Sequence, residues 1–294
     1  MESHAVYDMP IQTSNTNESV YLFNKNTGEV ILSQNAQLQR HIASTTKLMT
    51  ALLVLESGAD LNALVTVPES LTAELTSIRS NNGVRMGLAV GEQISRLDLM
   101  YALLVHSYND AASVLACDIA GSIDAFVERM NARAAQLGLT CTHFSCPHGL
   151  YDDGNWSTAA ELAEIAKLCR ANETYMQIAN TVSYTTAPTN MHPNGFHMTT
   201  TNRLINPDSE YYRAYTQGMK TGFTTRSGRC FVTYAEENGV AYGLVILGAV
   251  REAKYIYDES VRILDWAVTA KPGETQDEID IEKSIDSFWK WLVG

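Results

Sequence analysis

A polar quartet, Ser44-Thr45-Thr46-Lys47, opens directly onto the apolar run Leu48 to Leu55. The run predicts a buried helix that ends near Ser57-Gly58. On such a helix, side chains three residues apart lie one above the other, so the Lys47 amine stands beside the Ser44 hydroxyl. A serine hydroxyl is a poor nucleophile until a base takes its proton, and a lysine can do so when desolvation lowers its pKa. The helix N-terminus also offers free backbone N–H groups where an oxyanion can form.

Ser-x-x-Lys alone is a common accident. Two further stretches change its weight. Ser107-Tyr108-Asn109 follows the helix-like run Leu97 to Val105, and Lys220-Thr221-Gly222 opens a strand-like segment near the C-terminus. Ser-x-x-Lys, Ser-x-Asn and Lys-Thr-Gly in that order are the motif set of penicillin-binding proteins and class A β-lactamases.

The chain has 294 residues and a formal net charge of −12. It carries no basic stripe, so no nucleic-acid partner is expected. Its five cysteines, Cys117, Cys141, Cys146, Cys169 and Cys230, cannot all pair with one another. Buried thiols are the expected state, with a Cys141–Cys146 bridge as the alternative. Met1 to Asn17 is polar and lacks the apolar core of a signal peptide, and no stretch reaches the length of a membrane span.

Along the chain, Val20–Asn24 and Glu29–Ser33 flank Lys25-Asn26-Thr27-Gly28 and predict a hairpin. Val65 to Pro68 reads as extended, and Val84 to Ile94 as a small ribbon after a turn at Asn81-Asn82-Gly83. Ser95 is expected to cap a helix to Val105 with Asp98 near the capping-box position. Asn109 or Asp110 is expected to cap the next helix, to Ala120. Helices are further predicted over Ile123–Leu137, over Thr158–Arg170 with Ser157 as cap, and over Thr174–Asn180. Thr185 to Pro207 reads as loop and ribbon. Gly218–Thr224, Cys230–Ala235 and Val240–Val250 predict an antiparallel meander, followed by a helix over Asp258–Val268.

The simplest packing is an α+β fold. The N-terminal hairpin joins the meander in one five-stranded antiparallel sheet flanked by helices, and the helical middle forms a lobe. A cleft between lobe and sheet edge would collect all three motifs. The expected organisation is a flexible segment over 1–18, a catalytic domain over 19–269 and a linker or amphipathic tail over 270–294.

The sequence resembles the low-molecular-weight penicillin-binding proteins, the serine D-alanyl-D-alanine carboxypeptidases, over roughly Ser19 to Val268. The resemblance extends to His41 to Thr50, to Ser107 to Ala112, to Thr142-His143-Phe144 with Pro147-His148-Gly149-Leu150 and Ser157-Thr158-Ala159, and to Gly218 to Thr224. It implies a β-lactamase/transpeptidase-like fold and acyl transfer on peptidoglycan stem peptides ending in D-Ala-D-Ala. It also implies acylation by β-lactam antibiotics, no cofactor, no metal, and an exported location in the cell envelope. By the same resemblance, Ser44 is the nucleophile and Lys47 its base. Ser107 and Lys220 relay a proton to the leaving amine, and Asn109 orients Lys47. The backbone N–H groups of Ser44 and Phe223 form the oxyanion hole, while Lys220, Thr221, Gly222 and Arg251 serve substrate binding.

Two departures stand out. Tyr108 is bulkier than the Gly or Ala common there, and is expected to narrow the cleft. Ile281, Ile285, Phe288, Trp289 and Leu292 recur at helical spacing, which leaves open a peripheral membrane contact, a packed helix or a stub of a longer protein. Cys141-x-His143-x-x-Cys146-x-His148 is too crowded for separated zinc-ligand pairs. The rival readings are a D,D-endopeptidase of the same fold, a class A β-lactamase, and a penicillin-sensing or wall-binding module. The β-lactamase reading is disfavoured because no Glu lies between Glu128 and Glu161 to activate the deacylating water, and Tyr108 stands where an Asp is expected.

Overall fold

In the computed structural model, which describes residues 11–151, 153–249 and 252–269, the hairpin is β1 (Ser19–Asn24) and β2 (Val30–Gln34). Next come β3 (Arg40–His41), a 3-10 turn at Ala43–Thr46 and α1 (Lys47–Glu56). The lobe then builds from β4 (Leu64–Thr66), α2 (Thr72–Ser80), β5 (Gln93–Ser95), α3 (Arg96–Val105), α4 (Asn109–Ala120) and α5 (Ile123–Gln136). It continues through β6 (Trp156–Ser157), α6 (Ala159–Ala171), α7 (Glu173–Ala179) and the ribbon β7 (Ser183–Thr185) and β8 (His197–Thr199). The meander is β9 (Thr216–Thr224), β10 (Gly228–Glu237) and β11 (Val240–Ala249), with α8 (Ala253–Thr269) after it.

The main sheet has the order β2-β1-β11-β10-β9, and each adjacent pair is antiparallel. The expected joining of hairpin and meander is therefore made by β1 on β11, with Leu22 opposite Leu244. Strand periodicity sorts the core into two layers. Val20, Leu22, Phe231, Leu244 and Ile246 face one side, packed with Ile256, Ile263, Leu264 and Trp266 of α8. Phe23, Val232, Tyr234, Val245 and Leu247 face the other, packed with the lobe. Fully burying a Leu or Ile is worth about 1.5–3 kcal/mol, so α8 is held by its apolar stripe. Of the segment expected to be flexible, residues 11–18 are described. Ile11 is buried in the α8 layer, and the Ser14 amide and hydroxyl each donate to the Glu259 carboxylate at 3.0 Å.

Several local expectations are corrected. Helix α2 had no sequence signal, because Ile78 is its one buried residue and no apolar period exists. The stretch 84–90 forms no ribbon, since the Asp110 carboxylate takes the Met86, Gly87 and Leu88 amides at 3.0, 2.8 and 3.1 Å. Asp110 is thus committed there, and Asn109 is already the first residue of α4, so neither is the N-cap. Thr158 rather than Ser157 caps α6, accepting from the Glu161 amide. All five cysteines are thiols, so the Cys141–Cys146 bridge is not made. The Ser95 cap with Asp98 is present, with the Asp98 amide donating to Ser95 Oγ at 3.0 Å. Arg251 and the amphipathic tail over 270–294 lie outside the described residues.

Candidate active site

Ser44 sits in the 3-10 turn rather than in the helix, and Lys47 begins α1. The turn is entered through Ala43 at φ 44°, a left-handed conformation that costs a residue with a Cβ about 1 kcal/mol or more. Such strain persists only where the surroundings enforce it. The Lys47 side chain is fully buried. Its Nζ donates to Ser44 Oγ at 3.0 Å, to Asn109 Oδ1 at 2.7 Å and to His148 O at 2.7 Å. Three acceptors match the three hydrogens of an ammonium. Burial, and then the neighbouring Lys220 charge, push the Lys47 pKa well below its ordinary value. The amine that results has a lone pair to offer Ser44.

Ser107 is the second strained residue, at φ 67° and 8 % exposed. The Tyr108 amide donates to Ala102 O at 3.0 Å and the Asn109 amide to Val84 O at 2.8 Å, which pins the loop on both sides. The Tyr108 ring leans on His106, 4.7 Å away between centroids, and is not among the groups lining the cleft.

Strand β9 is the edge of the sheet, so alternate backbone groups along it have no strand partner. A Cβ added to Gly222 would lie 2.9 Å from the Ser44 nitrogen and 3.1 Å from that of Thr45. Only glycine lets the strand pass this close to the Ser44 turn. Lys220 is buried and its pKa falls to about 7 through desolvation. Its Nζ donates to Thr221 O at 2.8 Å. The structure records no hydrogen bond between Ser107 and Lys220. Thr221 Oγ1 pairs with Thr201 Oγ1 at 2.6 Å. The cleft, about 330 Å³, is lined by Ser44, Ser107, Thr221, Gly222, Phe223 and Arg229 among others. The expected site residues within the described chain therefore converge, with Lys47 and Asn109 beneath its floor.

Residues 8–251 match the family model described as D-alanyl-D-alanine carboxypeptidase. The chain belongs to that family. Similar members include a D-alanyl-D-alanine endopeptidase of Pseudomonas aeruginosa, 35% identical over 90% of this chain and 81% of its own length. The Escherichia coli D-alanyl-D-alanine carboxypeptidase DacA is 32% identical over 94% of this chain and 66% of its own length. Among solved structures, a Streptomyces DD-transpeptidase superposes with a TM-score of 0.78 at 27% identity, covering 88% of this chain and all of that one. Penicillin binding protein 6B of Escherichia coli gives 0.76 at 29% identity over 90% and 81%. The β-lactamase/transpeptidase-like fold expected from the motifs is the fold of these D-alanyl-D-alanine peptidases.

Three groups at or behind this family member's cleft have roles not read from sequence, although His148 itself lies in a stretch that carries the family resemblance. His148 supplies the carbonyl that holds Lys47. Glu74, on the unpredicted helix α2, accepts from His148 Nε2 at 2.8 Å. Arg229 stands opposite Phe223 in the β9–β10 ladder, its guanidinium 4.6 Å from the Phe223 ring centroid. Arg229 makes no hydrogen bond or ion pair among the described residues, and its Nε is buried without a partner. A cation's lack of a partner is not written in its residue type. Of the cysteines and histidines of 141–148, Cys146 and His148 adjoin at 3.5 Å, while His143 turns away to Gly154 O at 2.6 Å, and no group of three or more metal-ligating side chains forms among the described residues.

Proposed function

We propose that the protein is a serine D-Ala-D-Ala carboxypeptidase of the cell envelope that removes the terminal D-alanine from peptidoglycan stem peptides. The observation that carries this reading is the fully buried Lys47 amine on Ser44 Oγ. Ser44 Oγ attacks the penultimate D-alanine carbonyl as its proton passes to Lys47 Nζ. The C–N bond then breaks, the leaving amine takes a proton through Ser107 and Lys220, and D-alanine departs. Water hydrolyses the ester and restores Ser44. Asn109 holds Lys47 in line. The backbone N–H groups of Ser44 and Phe223 stabilise the tetrahedral oxyanion, where losing one such donor costs about 3 kcal/mol in related acyl transfers.

The terminal carboxylate is held by Lys220, Thr221 and the guanidinium of Arg229, which has no ion-pair partner among the described residues and is a group suited to planar carboxylates. Arg251, expected to do this from the resemblance, is proposed as a second cation. β-Lactams enter as mimics of the acyl donor and form a lasting adduct on Ser44.

A second reading, D,D-endopeptidase, is favoured by the names of two relatives, one of Pseudomonas aeruginosa and one of Escherichia coli. A β-lactamase reading has less support, since Glu161 is committed to the Cys141 amide at 2.9 Å and to Thr142 Oγ1. The testing experiment is D-alanine release from a diacetyl-Lys-D-Ala-D-Ala tripeptide, with intact-mass detection of a penicillin adduct in parallel. Release with a stable adduct is the expected result. Adduct without release, together with cleavage of a crosslinked muropeptide dimer, selects the endopeptidase. Rapid adduct loss with penicillin hydrolysis selects the β-lactamase.

A further inference from the structure

Behind the catalytic lysine lies a buried Glu–His–Cys arrangement that the proposed mechanism does not use. The Leu150 amide donates to His148 Nδ1 at 3.0 Å, so the ring carries its hydrogen on Nε2 and gives it to Glu74 Oε1 at 2.8 Å. Ser113 Oγ, on α4, donates to the same Glu74 oxygen at 3.2 Å. On the other side of the ring, Cys146 Sγ lies 3.5 Å from Nδ1 and accepts from the Gly149 amide at 3.3 Å and Asn155 Nδ2 at 3.0 Å. His148 is wholly buried and Cys146 is 4 % exposed.

The order Cys, His, Glu is that of a nucleophilic triad. Cys146 is almost wholly buried and does not line the catalytic cleft. The backbone of the same loop shows what the arrangement holds. The Pro147 carbonyl accepts from Thr50 Oγ1 at 2.5 Å and the His148 carbonyl from Lys47 Nζ at 2.7 Å. Gly149 packs so tightly that a Cβ there would sit 1.9 Å from the Ala43 oxygen, beside the nucleophile.

We propose that Glu74, His148 and Cys146 form one positioning network that fixes the His148 carbonyl against Lys47 and places net negative charge behind that amine. This builds on the assignment of Lys47 as base. The charged and titratable groups around Lys47 are Lys220 from β9, Asp110 from α4, and Cys146 and His148 from the loop, with Glu74 reached through the imidazole. Negative charge near an ammonium makes it hold its proton more tightly. Cys146 and Asp110 therefore oppose the depression caused by burial and Lys220, and Glu74 adds to them through the imidazole.

The test is an NMR titration of Lys47, followed through its 13Cε shift, in the unsubstituted chain, Glu74→Gln and Cys146→Ala, with β-lactam acylation of Ser44 measured against pH on the same samples. The expected result is a Lys47 midpoint lower by about half a unit or more in Glu74→Gln, an effect of the size of one partly screened charge. The acid limb of the acylation profile should move down with it, and Cys146→Ala should shift the midpoint with the same sign. An unchanged midpoint in both variants overturns the network, whatever the activity. A shifted midpoint in a chain that never acylates keeps the network and overturns the acyl-enzyme reading instead. Should Glu74→Gln not fold, Ser113→Ala, which removes one donor to Glu74, must shift the midpoint in the opposite direction or the proposal falls.

Discussion

Ser44 Oγ and Lys47 Nζ lie 3.0 Å apart although one residue belongs to a 3-10 turn and the other begins an α-helix. The tighter turn brings residues three apart closer to eclipsed than an α-helix does, which suits a short contact between a short side chain and a long one. Buried as it is, Lys47 contributes chemistry at a cost in stability. Lys47→Met should therefore fold with an equal or higher Tm, yet lose about 10²–10⁴-fold in the rate of penicillin acylation, the usual reach of a general base. Ser44→Ala should form no adduct at all. Stoichiometric labelling of Ser44→Ala, seen by intact mass, would remove Ser44 as nucleophile.

Gly222 fixes the width of the cleft. A methyl group 2.9 Å from the Ser44 nitrogen meets backbone, which cannot swing aside. Gly222→Ala should keep the fold, since β9 has a strand partner on one side only, while parting the strand from the Ser44 turn. Acylation should fall by about 10²-fold or more, as expected when reacting groups are displaced by about 1 Å. An unchanged acylation rate would show that the turn yields and that the close approach is not needed.

The sheet was legible because each strand carried its own period and the turns carried glycine: Gly28 and Gly239 both take positive φ. The lobe helices were legible where an apolar face or a cap existed, as at Ser95 and Asp98. Helix α2 was not, because its contribution is polar: Glu74 reaches inward while most of its neighbours face solvent, leaving no periodicity. The three motifs proposed to be catalytic were legible as words, and the geometry adds what words omit. Asn109 gives its side chain to Lys47 instead of capping α4, and the stretch over 84–90 is shaped by one carboxylate, Asp110, rather than by strand pairing. Arg229 was not picked out because the lack of an ion-pair partner, as found among the described residues, depends on packing and not on residue type.

The guanidinium of Arg229, without an ion-pair partner among the described residues, makes a prediction. Arg229→Gln should raise the KM for a peptide ending in a free D-alanine carboxylate by about tenfold or more, the loss of a charge-assisted hydrogen bond, with a smaller change in kcat. For the same peptide with its C-terminus amidated, the variant and the unsubstituted chain should differ little. Equal losses on both substrates would assign Arg229 to packing against Phe223 instead of carboxylate recognition.

Lys220 links stability to pH. Its pKa is about 7 in the fold because burial disfavours the charged form, against an unfolded value near 10.5. Below pH 7 both states hold the proton, and the full cost of a buried ammonium is present. Between about 7 and 10.5 the unfolded chain binds the proton and the folded chain does not, so this residue makes stability rise with pH across that window. A displacement of this size is worth about 5 kcal/mol at most. Lys220→Met should raise the urea midpoint at pH 6.5 and flatten its dependence on pH between 7 and 10. A midpoint unmoved at pH 6.5 would mean that Lys220 is not held as a buried charge.

Ser107 sets stability against function at a single position. Its φ of 67° is one that glycine adopts freely and that costs a serine about 1 kcal/mol. Two amide bonds, Tyr108 N to Ala102 O and Asn109 N to Val84 O, hold the loop in that conformation whatever side chain it carries. Ser107→Gly should therefore relieve strain and raise Tm by about 2–4 °C, as about 1 kcal/mol does in a domain of this size. The same substitution deletes the hydroxyl assigned to proton delivery, so D-alanine release should fall by about 10²-fold or more. Ser107→Ala separates the two effects: it deletes the hydroxyl and keeps the strain, and so should match Ser107→Gly in lost turnover without its gain in Tm. Turnover retained in both variants would take Ser107 out of the chemistry and leave its strained backbone as a feature of the loop alone.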